Sequence, residues 1–116
     1  MTLLLVAAGG ALGAVLRYLA GEGAFRWLGL PLPLSTLAIN IVGSFLLGWL
    51  IGAGLERRAS LFLGVGVLGG FTTFSTFSAQ AIALFERAPL QALGYIGASV
   101  ALSILGAALG LALGRS

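Results

Sequence analysis

The sequence predicts an all-α integral membrane protein built of four transmembrane helices, and three observations carry that prediction. Charge is scarce: six Arg and three Glu are the only charged side chains in 116 residues, and Lys, Asp, His and Cys do not occur. Those charges divide the chain into four apolar stretches, each matching the about 20 residues that span a bilayer. The stretches do not alternate with period two, so transmembrane strands are not expected. Hydrophobic residues make up 59% of the chain and charged ones 8%, with a mean hydropathy of +1.14. A soluble domain carries charge on about a quarter of its residues, and nine charges cannot cover a water-facing surface. Soluble enzymes, disordered chains and disulfide scaffolds are thereby excluded. Without His or Cys there is no zinc site, Ser-His-Asp triad or thiol nucleophile.

The first span covers residues 2–20 and is interrupted only by Arg17 near its end. It lacks a basic leading segment and three more spans follow, so it reads as a spanning helix rather than a cleaved signal. Glu22, Arg26, Pro31 and Pro33, with Gly21, Gly23 and Gly29 among them, mark a connection. The second span, 34–55, is uncharged and leads into the polar turn Glu56-Arg57-Arg58. The third, 60–85, is uncharged and ends at Glu86-Arg87-Ala88-Pro89. The fourth, 90–114, closes on Arg115-Ser116. Together they form a single four-helix membrane domain over residues 1–116. Glycines recur at helical spacing as Gly9/Gly13, Gly48/Gly52, Gly66/Gly70 and Gly106/Gly110/Gly114. Small residues four apart let backbones approach closely in lipid, so tight packing within or between subunits is expected of most of them.

Arginine distribution bears on orientation. The N-terminus, second loop and C-terminus share one side, with Arg57, Arg58 and Arg115; the first and third loops carry Arg26 and Arg87. This near balance, closer still if Arg17 joins the first loop, permits insertion both ways and hence an antiparallel dimer. Four close-packed helices also leave little room for a solvated pathway, which favours an oligomer.

Polar groups inside the spans are few. Gly69-Gly70-Phe71-Thr72-Thr73-Phe74-Ser75-Thr76-Phe77-Ser78 places five hydroxyls and three aromatics straight after a glycine pair, in mid-span. An intact helix with hydroxyls bonded back one turn is one reading. The other is a helix break at the glycine pair, tolerated at membrane depth only where it is buried or lines a cavity. Such a break offers carbonyls to a cation and amides to an anion. In the second span Thr36, Asn40 and Ser44 share one helical face, and Ser99 and Ser103 do so in the fourth. Asn40 serves either as interhelical glue or as part of a polar path. Arg17 either snorkels to the interface or lends positive potential to an anion path.

The three Glu lie at span edges. Proton-coupled transport calls for a buried carboxylate that exchanges its proton, so passive conduction is favoured. Asn, hydroxyls, Arg and the positive edges of phenylalanine rings form a donor-rich set suited to an anion. Gly64-Val65-Gly66-Val67-Leu68-Gly69 matches a dinucleotide-binding pattern, but it lies in a span with no preceding strand and carries no such function. No nucleic-acid-binding patch is present.

These features together resemble the Fluc (CrcB) family of fluoride channels over essentially the whole chain. The resemblance rests on Gly9, Gly10, Gly13, Ala14, Arg17 and Tyr18 in the first span, and on Thr36, Leu37, Asn40, Gly43, Ser44 and Phe45 in the second. Its most specific part is the run Gly69 to Phe77 in the third. The resemblance implies an antiparallel, dual-topology homodimer in the cell inner (plasma) membrane that exports fluoride passively through two pores and relieves fluoride toxicity. It implies that Phe74 and Phe77 are stacked pore phenylalanines, with Asn40, Ser75, Thr76, Thr36 and Arg17 along the path. Ser99 and Ser103 correspond to a fourth-span polar track and Glu86 to a carboxylate near the pore mouth. It further implies a structural Na⁺ on the dimer axis, held by the carbonyls of Gly69 and Thr72. Two other readings stand beside it: a small dual-topology exporter of the multidrug-resistance type, which needs a mid-span Glu, and a structural membrane subunit.

Overall fold

In the computed structural model, which describes residues 1–116, the chain crosses four times as helices. The first helix is Thr2–Leu28 and the second Leu32–Ala53. The third span is interrupted, with a leading half over residues 57–71 and a trailing half, Ser75–Arg87. The fourth helix is Pro89–Arg115. All four spans are long and apolar enough to cross a bilayer, and the molecule is a multi-pass membrane protein. Its longest extent is 45 Å, matching a bilayer of about 40–45 Å with its headgroups. Of 94 backbone hydrogen bonds, 84 lie within the helices, as a medium without water demands. Only 17 of 116 residues are buried, so most apolar side chains face outward, toward lipid or another subunit.

The first helix outruns its expected span by eight residues, and the connection shrinks to Gly29, Leu30 and Pro31. Glu22 and Arg26 therefore lie on helix rather than in a loop. Charge does not end a helix where it leaves the hydrocarbon for the headgroup region, and exposed Phe25 and Trp27 are suited to that interface. The helix stops instead at Gly29, whose φ of 67° is left-handed backbone that glycine adopts without a Cβ penalty. Pro33 falls in the first turn of the second helix and Pro89 opens the fourth, where a missing N–H leaves no helical bond unmade. The Glu56 carboxylate accepts from the Arg58 and Ala59 amides, at 3.2 and 2.7 Å, and caps the start of the third span.

The glycine repeats pack helices within one chain, in two parallel pairs. Gly9 and Gly13 meet Phe62, Gly66, Val67 and Phe71, and Gly70 meets Gly10 and Ala14, so the first helix and the leading half of the third span run side by side. A Cβ on Gly66 would lie 2.8 Å from Gly9 Cα. The second and fourth helices are joined in the same way: Gly48 and Gly52 face Ala107 and Leu111, while Gly110 and Gly114 face Phe45 and Trp49. These are backbone-to-backbone contacts, and any larger residue would push the pairs apart.

The third span does not break at the glycine pair. Gly69 and Gly70 remain helical, because Gly70 is spent on close approach: a Cβ there would lie 2.6 Å from Gly10 O. Before the pair, Ser60–Leu68 is wound as π-helix, and the Gly69 amide reaches back five residues to Gly64 O. The interruption comes after Phe71. Thr72 is extended, with φ −79° and ψ 158°, and helix resumes at Ser75.

Candidate functional site

The interruption frees backbone groups at membrane depth, and side chains from the other spans take several of them. In an unbroken helix the Thr73 amide would donate to Gly69 O. Here it donates to Asn40 Oδ1 at 2.9 Å, and Asn40 Nδ2 donates to Thr73 O at 3.0 Å. One second-helix amide thus satisfies both backbone groups of one threonine. Arg17 Nε donates to Gly70 O at 3.3 Å, and Thr73 Oγ1 accepts from the Thr76 amide at 3.1 Å. The Thr72 hydroxyl turns back to Leu68 O, 3.1 Å away. Gly69 O and Thr72 O receive none of these donors: the first loses the Thr73 amide to Asn40, the second the Thr76 amide to Thr73 Oγ1. Two carbonyls, one on the last helical turn of the leading half and one on the extended residue after it, are thus left without a hydrogen-bond partner, and backbone oxygens are the donor type that a hard cation takes.

Two cavities meet at this interruption and share Thr73. One is a groove of about 260 Å³ lined by Asn40, Ser44, Phe74, Phe77, Ser99 and Ser103, with Thr72 and Thr73 at its edge. The Phe74 and Phe77 rings line it together. Ser99 Oγ is buried in its wall without a hydrogen-bond partner. Such an orphan costs about 1–3 kcal/mol relative to a satisfied hydroxyl, and it is a polar group of the groove wall with no partner inside the chain. The second cavity, about 340 Å³, lies toward the first connection and is lined by Arg17, Thr36, Thr73, Thr76 and Gln80 among others. Thr36, Asn40 and Ser44, on one face of the second helix, run from the second cavity into the groove.

The structure brings together Phe74, Phe77, Asn40, Ser99, Ser103 and Thr72 at the groove, and Arg17, Thr36 and Thr76 at the second cavity. Ser75 lies on neither; it is exposed, with its hydroxyl 3.2 Å from Thr73 Oγ1. Glu86 is exposed in the last turn of the trailing half and also lines neither cavity. Gly69 supplies backbone only. Arg17 is neither wholly snorkelled nor free, since it is half-buried and bonded to Gly70. Sequence reasoning passed over Gln80 and Tyr95. The Tyr95 hydroxyl donates to Gln80 Oε1 at 3.1 Å, and its ring lies 5.2 Å from that of Phe77. Periodicity held the signal: Tyr95, Ser99 and Ser103 share a helical face, and Gln80 follows Thr76 by one turn.

Comparison with known proteins gives the family of the chain. Residues 4–111 match the family profile described as CrcB-like protein, Camphor Resistance (CrcB). A protein of Agrobacterium fabrum named fluoride-specific ion channel FluC is 52% identical over 97% of this chain and 94% of its own length. A protein of the same name from Rhizobium meliloti is 51% identical over 98% of the chain and 96% of its own. Another, from Rhodospirillum centenum, is 50% identical, covering 98% and 95%.

Proposed function

We infer, because the chain belongs to the CrcB-like family, that it is a fluoride-specific ion channel of the membrane and not an enzyme. The observation that carries a conducting role is the groove itself, where an unpartnered Ser99 hydroxyl and two phenylalanine rings line the same space. Fluoride gives up its hydration shell only where donors replace the water. Hydroxyl hydrogens of Ser99 and Ser103 serve on one wall, and the positive ring edges of Phe74 and Phe77 on the other. Arg17 and Thr76 supply donors at the second cavity, whose lining also holds the Glu22 carboxylate, and Thr36, Asn40 and Ser44 carry the anion along the second helix. Conduction is passive. Glu22, Glu56 and Glu86 are exposed near the ends of the helices, so no buried carboxylate is available for proton exchange. Export from the cytoplasm across the plasma membrane follows the fluoride gradient and relieves its toxicity.

The working unit is proposed to be an antiparallel homodimer with two pores. Phe74 is 77% exposed although it lines the groove, so one wall of the path is left for a partner of the same sequence to close. The near-balanced arginines support two orientations. The unpaired carbonyls of Gly69 and Thr72 would hold a sodium ion on the dimer axis, where a second copy doubles the oxygen count. When bound, that ion supplies charge and rigidity to the interface; the anion steps belong to the side chains named above.

The reading is tested by fluoride release from proteoliposomes, followed with a fluoride electrode. Fast release without a coupling gradient is expected. Equal passage of chloride would reject fluoride selectivity, and no release at all would leave a structural subunit.

A further inference from the structure

We propose that Asn40 is a positioning residue that holds the third span open, in addition to lining the groove. The inference rests on the channel reading only for its consequence, not for its geometry. The Thr73 amide has two acceptors within reach of the chain's own choices: Gly69 O, one helical turn back, and Asn40 Oδ1 on another helix. The structure gives it to Asn40. The same side chain donates to Thr73 O, so both backbone groups of the residue at the interruption are satisfied from outside the span. A backbone amide freed within a span seeks another acceptor, and for Thr73, part-buried where the two cavities meet, the nearest within its own span is Gly69 O. Without Asn40, the cheapest partner for the Thr73 amide is Gly69 O, and the span closes toward continuous helix.

Three consequences belong together. Closure would take up the Gly69 carbonyl, one of the two unpaired oxygens. It would pull Thr72 out of its extended conformation, and it would rotate the trailing half, which begins at Ser75 and carries Phe77. Asn40 therefore couples the shape of the interruption to the aromatic wall of the groove. Its amide is committed on both atoms, and only the second Nδ2 hydrogen remains to face the groove. Nothing in the glycine pair does this work, since Gly69 and Gly70 are helical.

The test is threonine-labelled solid-state NMR of the full chain in bilayers, which is tractable because only Thr2, Thr36, Thr72, Thr73 and Thr76 carry label. In the natural protein Thr72 should show extended-backbone carbon shifts. Asn40→Leu, similar in size and without polar atoms, should move Thr72 to helical shifts. Asn40→Asp keeps the acceptor and should leave Thr72 extended, which serves as the control should Asn40→Leu fail to fold. In that event Asn40→Ser, too short to reach Thr73, replaces it. Fluoride release is read on the same vesicles. Loss of flux with Thr72 still extended in Asn40→Leu or Asn40→Ser would overturn the proposal and leave Asn40 as an anion contact alone. Failure of the channel reading looks different: the natural protein would release no fluoride, whatever its Thr72 shifts.

Discussion

The Phe74 and Phe77 rings lie with centroids 5.3 Å apart and planes at 47°, yet Phe77 is buried and Phe74 stands 77% exposed. Two aromatics three residues apart thus occupy opposite environments, one packed against Tyr95 and one presented outward. The tilted arrangement sets the positive edge of one ring against the negative face of the other more nearly than a parallel stack would.

Replacing either ring with Ile should cut fluoride flux by about tenfold or more, which equals a loss of at least ~1.4 kcal/mol of barrier stabilisation. Phe74→Ile removes an exposed ring and should leave the melting temperature and dimer content unchanged. Phe77→Ala is different, because truncating a buried Phe costs about 3–5 kcal/mol, so Ile is the informative substitution there. Unchanged flux in Phe74→Ile, by electrode assay, removes the aromatic role.

Ser99→Ala separates function from stability. The hydroxyl has no partner to lose, so the variant should be as stable as the natural protein, or more so by up to about 1–3 kcal/mol. Flux should nevertheless fall by about tenfold, the scale of one lost hydrogen bond to an ion. A drop in melting temperature in detergent would mean that Ser99 is structural glue instead.

Glycine substitutions should divide sharply by position. A Cβ on Gly110 would lie 2.8 Å from Trp49 N and closer still to Phe45 O, backbone atoms that cannot swing aside. Gly110→Ala should cost at least the about 1–3 kcal/mol of an overpacked core and lower the thermal midpoint accordingly. Gly94→Ala meets nothing within 4 Å, and the better helix propensity of Ala should make it neutral or slightly stabilising. Equal effects at the two sites, measured by thermal denaturation, would contradict the parallel-pair packing.

Orientation can be forced. A Lys-rich tag at either terminus should lock one topology by the positive-inside rule. Oppositely locked forms should each be inactive alone and recover flux when mixed. Robust flux from a single locked orientation would exclude an antiparallel pair.

Much of the fold was legible because the bilayer makes sequence and structure nearly proportional. Charges and apolar run lengths located four spans, and the Gly106/Gly110/Gly114 spacing announced a close helix contact. What misled was punctuation. Glu22 and Arg26 looked like a loop but lie on helix, since charge is tolerated once the helix reaches the headgroups. Gly69-Gly70 looked like the broken point, yet glycine permits close approach as readily as it permits a break, and Gly10 decides for the former. The site was half legible: hydroxyl and aromatic positions stood out as exceptions in an apolar chain. Gln80 and Tyr95 did not, because a polar residue near a span edge is ordinary until a neighbour is known.

The amino-acid sequence by itself determined that this chain lives in a membrane, that it crosses four times, and that its polar inventory suits an anion. These are properties of composition and period, which need no partner to be read. Only the tertiary structure decided that the third span breaks at Thr72 to Phe74, that Asn40 and Arg17 take up the freed backbone, and that Ser99 shares a groove with Phe74 and Phe77. Each of these depends on which groups, 53 residues apart for Arg17 and Gly70, arrive within hydrogen-bond reach. That is settled by two parallel glycine contacts whose close approach sets where every other side chain falls.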